Sequence, residues 1–382
     1  MPEADVMSDL SHSAPAALTG SGKPLSVTRL RKRYRGGVTA VDEVSMEIAA
    51  GEFVTFLGSS GSGKTTTLMM IAGFCEPDSG SIVVGGNDVT RLAPQKRGLG
   101  FVFQQYLLFP HMTVWENVAF PLQLRDTPKA ELRRRVGETL EMAGLSAMAR
   151  RRPRELSGGQ QQRVALCRAL VYRPPVILMD EPLGALDKKL RDQLQTEIKR
   201  IQQELGLTVI YVTHDQEEAL VLSDRIAVMR DGRIDQFDTP RELFERPRTP
   251  FVADFLGAAN FLPGHIEEHT ADHLLVRLDT GGLLKARAQQ AASVAKAPVR
   301  AAVQPGRLAL RPAGEGFCTG TVETVTYVGT LVRVTVRPEG AVATGVVRLE
   351  LPAGRAPVPG ERVGLGAEPA DVSVFADPEE GR

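Results

Sequence analysis

Gly58-Ser59-Ser60-Gly61-Ser62-Gly63-Lys64-Thr65 fits the pattern GxxxxGK[ST]. It lies between an apolar run, Phe53 to Leu57, and a helix-like segment from Lys64 to Ala72. A glycine-rich loop with a strand before it and a helix after it is a phosphate cradle. The bare backbone lets successive N–H groups curl around phosphate oxygens, and the helix N-terminus adds its partial positive charge. Lys64 then offers a cation to the β- and γ-phosphates, and Thr65 a hydroxyl to Mg2+.

Further strands read along the chain. Val44, Met46 and Ile48 alternate with Ser45 and Glu47, a half-buried strand. Residues 99–103 (LGFVF), 176–180 (VILMD), 208–213 (TVIYVT) and 225–229 (RIAVM) are short apolar runs, the last closed by Asp231-Gly232. Leu190, Leu194, Ile198, Ile201 and Leu205 mark an amphipathic helix. Residues 106–155 read as helical, with Leu132, Val136, Leu140 and Ala143 on one face. Alternating strands and helices predict an α/β layer with a mainly parallel sheet. Residues 1–24, rich in Ser, Ala, Pro and Gly, read as a disordered tail. Beyond about 260, short β-like runs (274–278, 300–303, 321–327, 331–336, 345–350) between Gly and Pro clusters predict a small all-β domain. The expected division is a tail over 1–24, an ATP-binding domain over 25–260 with a helical part over about 106–172, and a β-domain over 261–382.

Composition narrows the function classes. Lys plus Arg is 46 and Asp plus Glu is 46, for a net charge of zero. That removes the electrostatic argument for a nucleic-acid binder. Aromatics at 5% with one Trp argue against a base-stacking surface. The arginines at 133–135, 150–152 and 154 read as solvated helix faces and a loop. Cys75, Cys167 and Cys318 form neither a disulfide framework nor a CxxC pair, which fits a reducing compartment. No run approaches 18 apolar residues, and Glu3, Asp5 and Asp9 stand where a signal peptide is basic. A cytosolic protein able to dock on a membrane protein is expected.

The remaining motifs converge on one crevice. Asp180 and Glu181 follow the four apolar residues 176–179, and ligands of open α/β sheets sit beyond such strand ends. Asp180 is placed to hold Mg2+, and Glu181 to orient and polarise an attacking water. Gln104 and His214 end the 99–103 and 208–213 strands and would face the same crevice. Gln104 suits a Mg2+ ligand or a water contact, and His214 a donor to the γ-phosphate. Leu156-Ser157-Gly158-Gly159-Gln160 opens a further helix, a second anion cradle. One P-loop has no obvious need of it. Two copies arranged head to tail would use it, each closing the other's nucleotide.

In that set the sequence resembles the ATP-binding subunits of ABC transporters. GSSGSGKTT (58–66, ending at Thr66), FQQ (103–105), LSGGQ (156–160), the Asp-Glu pair (180–181), ALD (185–187) and VTHDQEEAL (212–220) occur in family order. The resemblance covers about 25–260. It implies that Tyr34 stacks on adenine, the alternative being packing on a sheet edge. It also implies that Ser157, Gly158, Gly159, Gln160 and Asp187 serve the partner subunit's ATP. FLGAANFLPG (255–264), VQPGRLALRP (303–312) and TYVGT (326–330) resemble the TOBE-like, OB-like β-domain of importer ATPases, with Gly306 where an acid is frequent. DEPLGALDKKLR (180–191) looks most like spermidine/putrescine importers, although Gly184 stands where Ser is common. Iron, sugar and sulfate importers share much of this pattern.

The resemblance implies a homodimeric ATPase holding two ATP·Mg2+ on the cytoplasmic face of the inner membrane. It would act with permease subunits and, through them, a solute-binding protein, and not with nucleic acid. Leu107 to Thr113 would meet the permease, with Phe109 and Pro110 either docking there or joining the core. The rival readings are a soluble ABC-type ATPase and a ligand-sensing regulatory module.

Overall fold

The computed structural model describes residues 22–184, 186–287, 298–340 and 345–377. The expectations for 1–21, for Ala185, and for 288–297, 341–344 and 378–382 lie outside the described residues. The chain forms two compact units that divide between Ile234 and Asp235.

The first unit runs β1 (Leu25–Arg33), β2 (Thr39–Ile48), β3 (Phe53–Leu57), α1 (Lys64–Ala72), β4 (Ser79–Val84), β5 (Asn87–Asp88), α2 (Pro94–Arg97) and β6 (Gly100–Val102). It continues with α3 (Val114–Gln123), α4 (Lys129–Met142), α5 (Gly158–Leu170), β7 (Val176–Asp180), α6 (Lys188–Leu205), β8 (Thr208–Thr213), α7 (Gln216–Leu222) and β9 (Arg225–Arg230). Five of these strands make a parallel sheet in the order β9-β3-β8-β7-β6. β3, β7 and β8 are buried along their whole length, which is why they read as unbroken apolar runs. The register pairs Leu57 with Thr213, Val212 with Asp180, and Met179 with Val102. The carboxyl ends of four strands are therefore level, and whatever follows them shares one edge.

α6 lays Leu194, Ile198 and Ile201 against Ile177 and Val209 of that sheet. α3, α4 and α5 bury a core of their own around Val118, Leu122, Val136, Leu140, Val164 and Cys167. Residues 106–113 are not helical as expected. α3 begins only at the capping box of Thr113 and Glu116, which satisfies two N–H groups at the helix entrance. Arg134 and Arg135 are held by Glu131 and Glu138 on α4, and Arg150, Arg151, Arg152 and Arg154 are exposed.

A second, antiparallel sheet has the order β2-β1-β4-β5. Residues 22–24 are anchored rather than part of a disordered tail. Gly22 N donates to Gly206 O (2.9 Å), Lys23 N to Pro175 O (3.2 Å), and Pro24 O accepts from Gly85 N (2.9 Å).

β10 (Arg233–Asp238) spans the division. The second unit continues with α8 (Pro240–Glu245), α9 (Pro250–Gly257), β11 (Asn260–His269), β12 (His273–Leu278), β13 (Leu283–Arg287), β14 (Pro298–Val303) and β15 (Leu308–Arg311). Then come β16 (Cys318–Val328), β17 (Leu331–Pro338), β18 (Val347–Pro352), β19 (Arg362–Ala367) and β20 (Val372–Ala376). Its two antiparallel sheets, β13-β12-β11-β14-β20 and β15-β19-β16-β17-β18, close on one core. Ile266, Val276 and Val299 meet Val322, Val334 and Leu365 there. Asn260 joins the sheets, donating to Arg348 O and accepting from Arg348 N, both at 2.8 Å. The contact division falls before α8 and α9, earlier than the expected boundary at 260, because α9 buries Ala253 against Ala302 and Phe375.

Candidate nucleotide site

The glycine-rich loop leaves β3 and enters α1. Two of its glycines are required sterically. A Cβ at Gly58 would lie 2.4 Å from Met229 O, and one at Gly63, whose φ is +98°, 2.4 Å from Ala40 O. Ser59, Ser60, Gly61 and Thr65 are exposed along the loop, Thr66 is half-buried, and Ser62 is buried. Lys64 is only 5% exposed, and its Nζ donates to Gly58 O and Ser59 O at 2.8 Å each. Burial lowers its pKa, against the pull of Glu181 and Asp180.

Thr65 Oγ1 donates to Asp180 Oδ1 at 3.1 Å, bringing the end of β7 to the loop. Burial raises the Asp180 pKa, the Thr65 hydrogen bond opposes that rise, and neighbouring Glu181 adds to it. One residue on, Glu181 takes a left-handed backbone (φ +42°) while its N–H donates to Val212 O at 3.0 Å. Its carboxylate accepts from Gln104 Nε2 at 3.2 Å and lies 3.3 Å from His214 Nδ1. Gln104 stands two residues beyond β6 and His214 one beyond β8. Lys64, Thr65, Asp180, Glu181, Gln104 and His214 thus form one group across four strand ends.

The remaining expected residues lie in other places. Ser157 caps α5, accepting from Gln160 N at 3.4 Å while its own N–H donates to Gln160 Oε1 at 2.9 Å. Gly158 faces Leu186, and Gly159 is pressed against Leu190, which lies 2.9 Å from where a Cβ would be. Asp187 caps α6 by accepting from Leu190 N at 3.0 Å. The LSGGQ segment and the turn ending at Asp187 are therefore neighbours in one chain. Tyr34 is 46% exposed on a turn closed by its N–H on Val38 O, and its hydroxyl lies 3.9 Å from Cys75 Sγ. Phe109 packs on Phe120 at 4.7 Å between ring centres, while Pro110 is exposed.

Sequence reasoning missed the support behind His214. Arg191 on α6 donates to Leu186 O (3.1 Å) and to Asp215 Oδ2 (2.8 Å), and its Nε lies 3.6 Å from Glu218 Oε1. Glu218 is buried and accepts from Tyr211 Oη and Thr213 Oγ1, both at 2.8 Å. One guanidinium thus ties the residue before Asp187 to the residue after His214. The available signal was Tyr211, a hydroxyl inside an apolar strand that needs a buried partner.

The family model for ABC transporter matches residues 41–184. The spermidine/putrescine import ATP-binding protein PotA of Thermobifida fusca is 49% identical over 320 residues, 82% of this chain and 83% of that protein. The chain belongs to the ATP-binding subunits of ABC transporters. An Agrobacterium fabrum relative, the Fe(3+) ions import ATP-binding protein FbpC, is 47% identical over 310 residues, 80% of this chain and 86% of its own. A dimeric ATP-binding cassette bound to ADP and Pi superposes with a TM-score of 0.51 at 36% identity, covering 57% of this chain and 99% of that one. The TOBE domain model matches residues 301–375. The protein is an ATP-binding, importer-type ABC ATPase with an α/β P-loop domain and a C-terminal all-β TOBE domain. Among the described residues, no helix is long and apolar enough to cross a membrane.

Proposed function

We propose that the chain powers uptake of a polyamine, spermidine or putrescine, through separate permease subunits at the cytoplasmic face of the inner membrane. The observation that carries the ATPase part of this reading is the joining of Glu181 to both Gln104 and His214 beside the Lys64 loop. Curated relatives named for spermidine/putrescine import, at 46–51% identity, support the cargo. Fe(3+) is the second cargo reading, supported by the 47% identical relative.

In this reading Lys64 exchanges its bonds to Gly58 O and Ser59 O for the β- and γ-phosphates, with the N–H groups of residues 58–66 around them. Tyr34 stacks on adenine. Glu181 holds the attacking water and draws off its proton, while His214 donates to the γ-phosphate and Gln104 keeps the Glu181 carboxylate turned toward the water. Among the described residues no three His, Cys, Asp or Glu side chains gather to bind a metal alone. The hydroxyl–carboxylate pair of Thr65 and Asp180 instead suits a cation shared with phosphate oxygens. Thr65, Asp180 and Gln104 are the residues that would hold Mg2+, which when bound spreads the phosphate charge. Ser157, Gly158, Gly159, Gln160 and Asp187 close the nucleotide of a second copy, so the working unit is a dimer; the dimeric ADP-bound cassette supports that arrangement.

The test is uptake by cells lacking this gene, complemented with the wild type or with Glu181→Gln. Labelled spermidine and putrescine should enter only with the wild type. Restoration of Fe(3+) uptake with no polyamine uptake would reassign the cargo.

A further inference from the structure

Away from the ATP residues, the second unit holds a cavity of about 240 Å³ between the α8–α9 pair and the outer face of the β14–β20 strands. Small side chains create the space. Ala302 and Ser373 sit opposite each other in register and turn away from the β core, while their neighbours Ala301 and Val374 turn into it. Ala253 of α9 is the third small residue on the wall. Larger residues at these three positions would fill it.

The lining is charged and unbalanced. Arg241 pairs with Glu245 at 3.1 Å, and Arg307 lies 3.5 Å from Asp371. Arg287, at the end of β13, has no acidic partner among the described residues, which leaves one excess positive charge. Arg307 keeps donors free, since a guanidinium carries five and its Asp371 contact is long. Ser373 supplies a second, independent sign. It is 8% exposed, lines the cavity, and its hydroxyl makes no hydrogen bond among the described residues. Its hydroxyl is therefore available to a group bound in the cavity. Gln304 is half-buried on the same wall, with its Nε2 committed to Phe244 O at 3.0 Å.

We infer that this cavity is a binding site for a small anion of carboxylate or phosphate chemistry, held by Arg287 and Arg307 and accepting a hydrogen bond from Ser373. Guanidinium groups fit both anions in a bidentate manner. The same excess positive charge disfavours a polyamine there, so the anion is distinct from the proposed cargo. The inference does not rest on the cargo assignment, since it uses none of the residues of the ATP site.

The test is calorimetric titration of the full chain with inorganic phosphate, with succinate and with spermidine. Saturating ADP is present throughout so that the glycine-rich loop is already filled. Phosphate or succinate should bind, and which of them binds identifies the source of the anion. Arg287→Ala with Arg307→Ala should weaken that binding by roughly 10–100-fold, the loss expected for charge-assisted hydrogen bonds, with ADP affinity unchanged. Ser373→Leu should abolish it by filling the space. Absence of binding by both anions, equal binding by the double arginine variant, or binding of spermidine in their place would overturn the assignment. The arginine side chains are at the surface, so their removal leaves the fold intact, and a thermal melt of each variant verifies it.

Discussion

His214 Nδ1 lies 3.3 Å from Glu181 Oε1 across the gap between β8 and β7. The other Glu181 oxygen accepts from Gln104. The carboxylate is therefore held from both sides by groups that follow on the ends of the two neighbouring strands. Pre-set polar groups of this kind act on a reacting centre without reorganising.

Glu181→Gln keeps the shape of the side chain and removes its ability to accept a proton. Steady-state ATP hydrolysis should fall about 10²–10⁴-fold with ATP still bound. An ATP-dependent dimer should then accumulate on size-exclusion chromatography. A variant that hydrolyses normally and stays monomeric would remove Glu181 from the role of base.

Lys64→Ala should lower turnover by roughly 10²–10³-fold, the usual effect of deleting one electrostatic contact to a developing charge. The loss should persist at saturating ATP. Near-normal turnover there would refute the phosphate assignment of residues 58–65.

The proposed sharing of each ATP between two copies makes a prediction about mixtures. Lys64→Ala and Ser157→Arg homodimers each carry two broken sites. A mixed dimer of the two carries one site with both lesions and one with neither, so it should recover single-turnover hydrolysis. A Lys64→Ala/Ser157→Arg double variant paired with wild type has one lesion in each site and should not. Differently tagged, purified mixed dimers decide it; activity confined to the second mixture would mean that each chain serves its own ATP.

Arg191→Ala should act on both rate and stability. Burial raises the Glu218 pKa, and Arg191 opposes that rise. Removing the guanidinium leaves a buried carboxylate short of a partner, at a cost of about 1–3 kcal/mol when it is ionised. The sign follows from linkage. A carboxyl whose folded pKa is raised further favours the folded state below its ordinary value of 4.5, and that advantage is lost as pH rises through the folded value. Urea midpoints of variant and wild type should therefore converge near pH 4 and separate toward pH 8. A constant gap across that range would exclude Glu218 as the cause. Turnover should fall with little change in ATP KM, because Arg191 supports Leu186 and Asp215 without reaching the phosphate loop.

Much of the candidate nucleotide site is legible in the sequence because it depends on local chemistry. A glycine loop between strand and helix, or an acid after four apolar residues, needs no distant partner to be recognised. β1 was harder to read. Its apolar positions Leu25, Val27 and Leu30 break the alternation, because the register with β2 shifts between Val27 and Leu30 where Arg29 turns left-handed. A bulge of that kind hides a strand from any period-two reading. α8 and α9 escaped for a different reason. They are short, and the buried Ala253 of α9 meets Ala302 of β14 and Phe375 of β20, which come much later in the chain. Arg191 and Glu218 lie 27 residues apart on different helices, so only the folded packing reveals them as a pair.

The left-handed turn at Glu181 has an evolutionary consequence. An L-residue with a long side chain pays a conformational penalty there that glycine or asparagine would avoid. Selection for folding alone would favour glycine or asparagine at this position, so under the role proposed for Glu181 only a demand for turnover holds the glutamate in place. A duplicated copy released from that demand is expected to drift first at this position, gaining thermal stability as it falls silent.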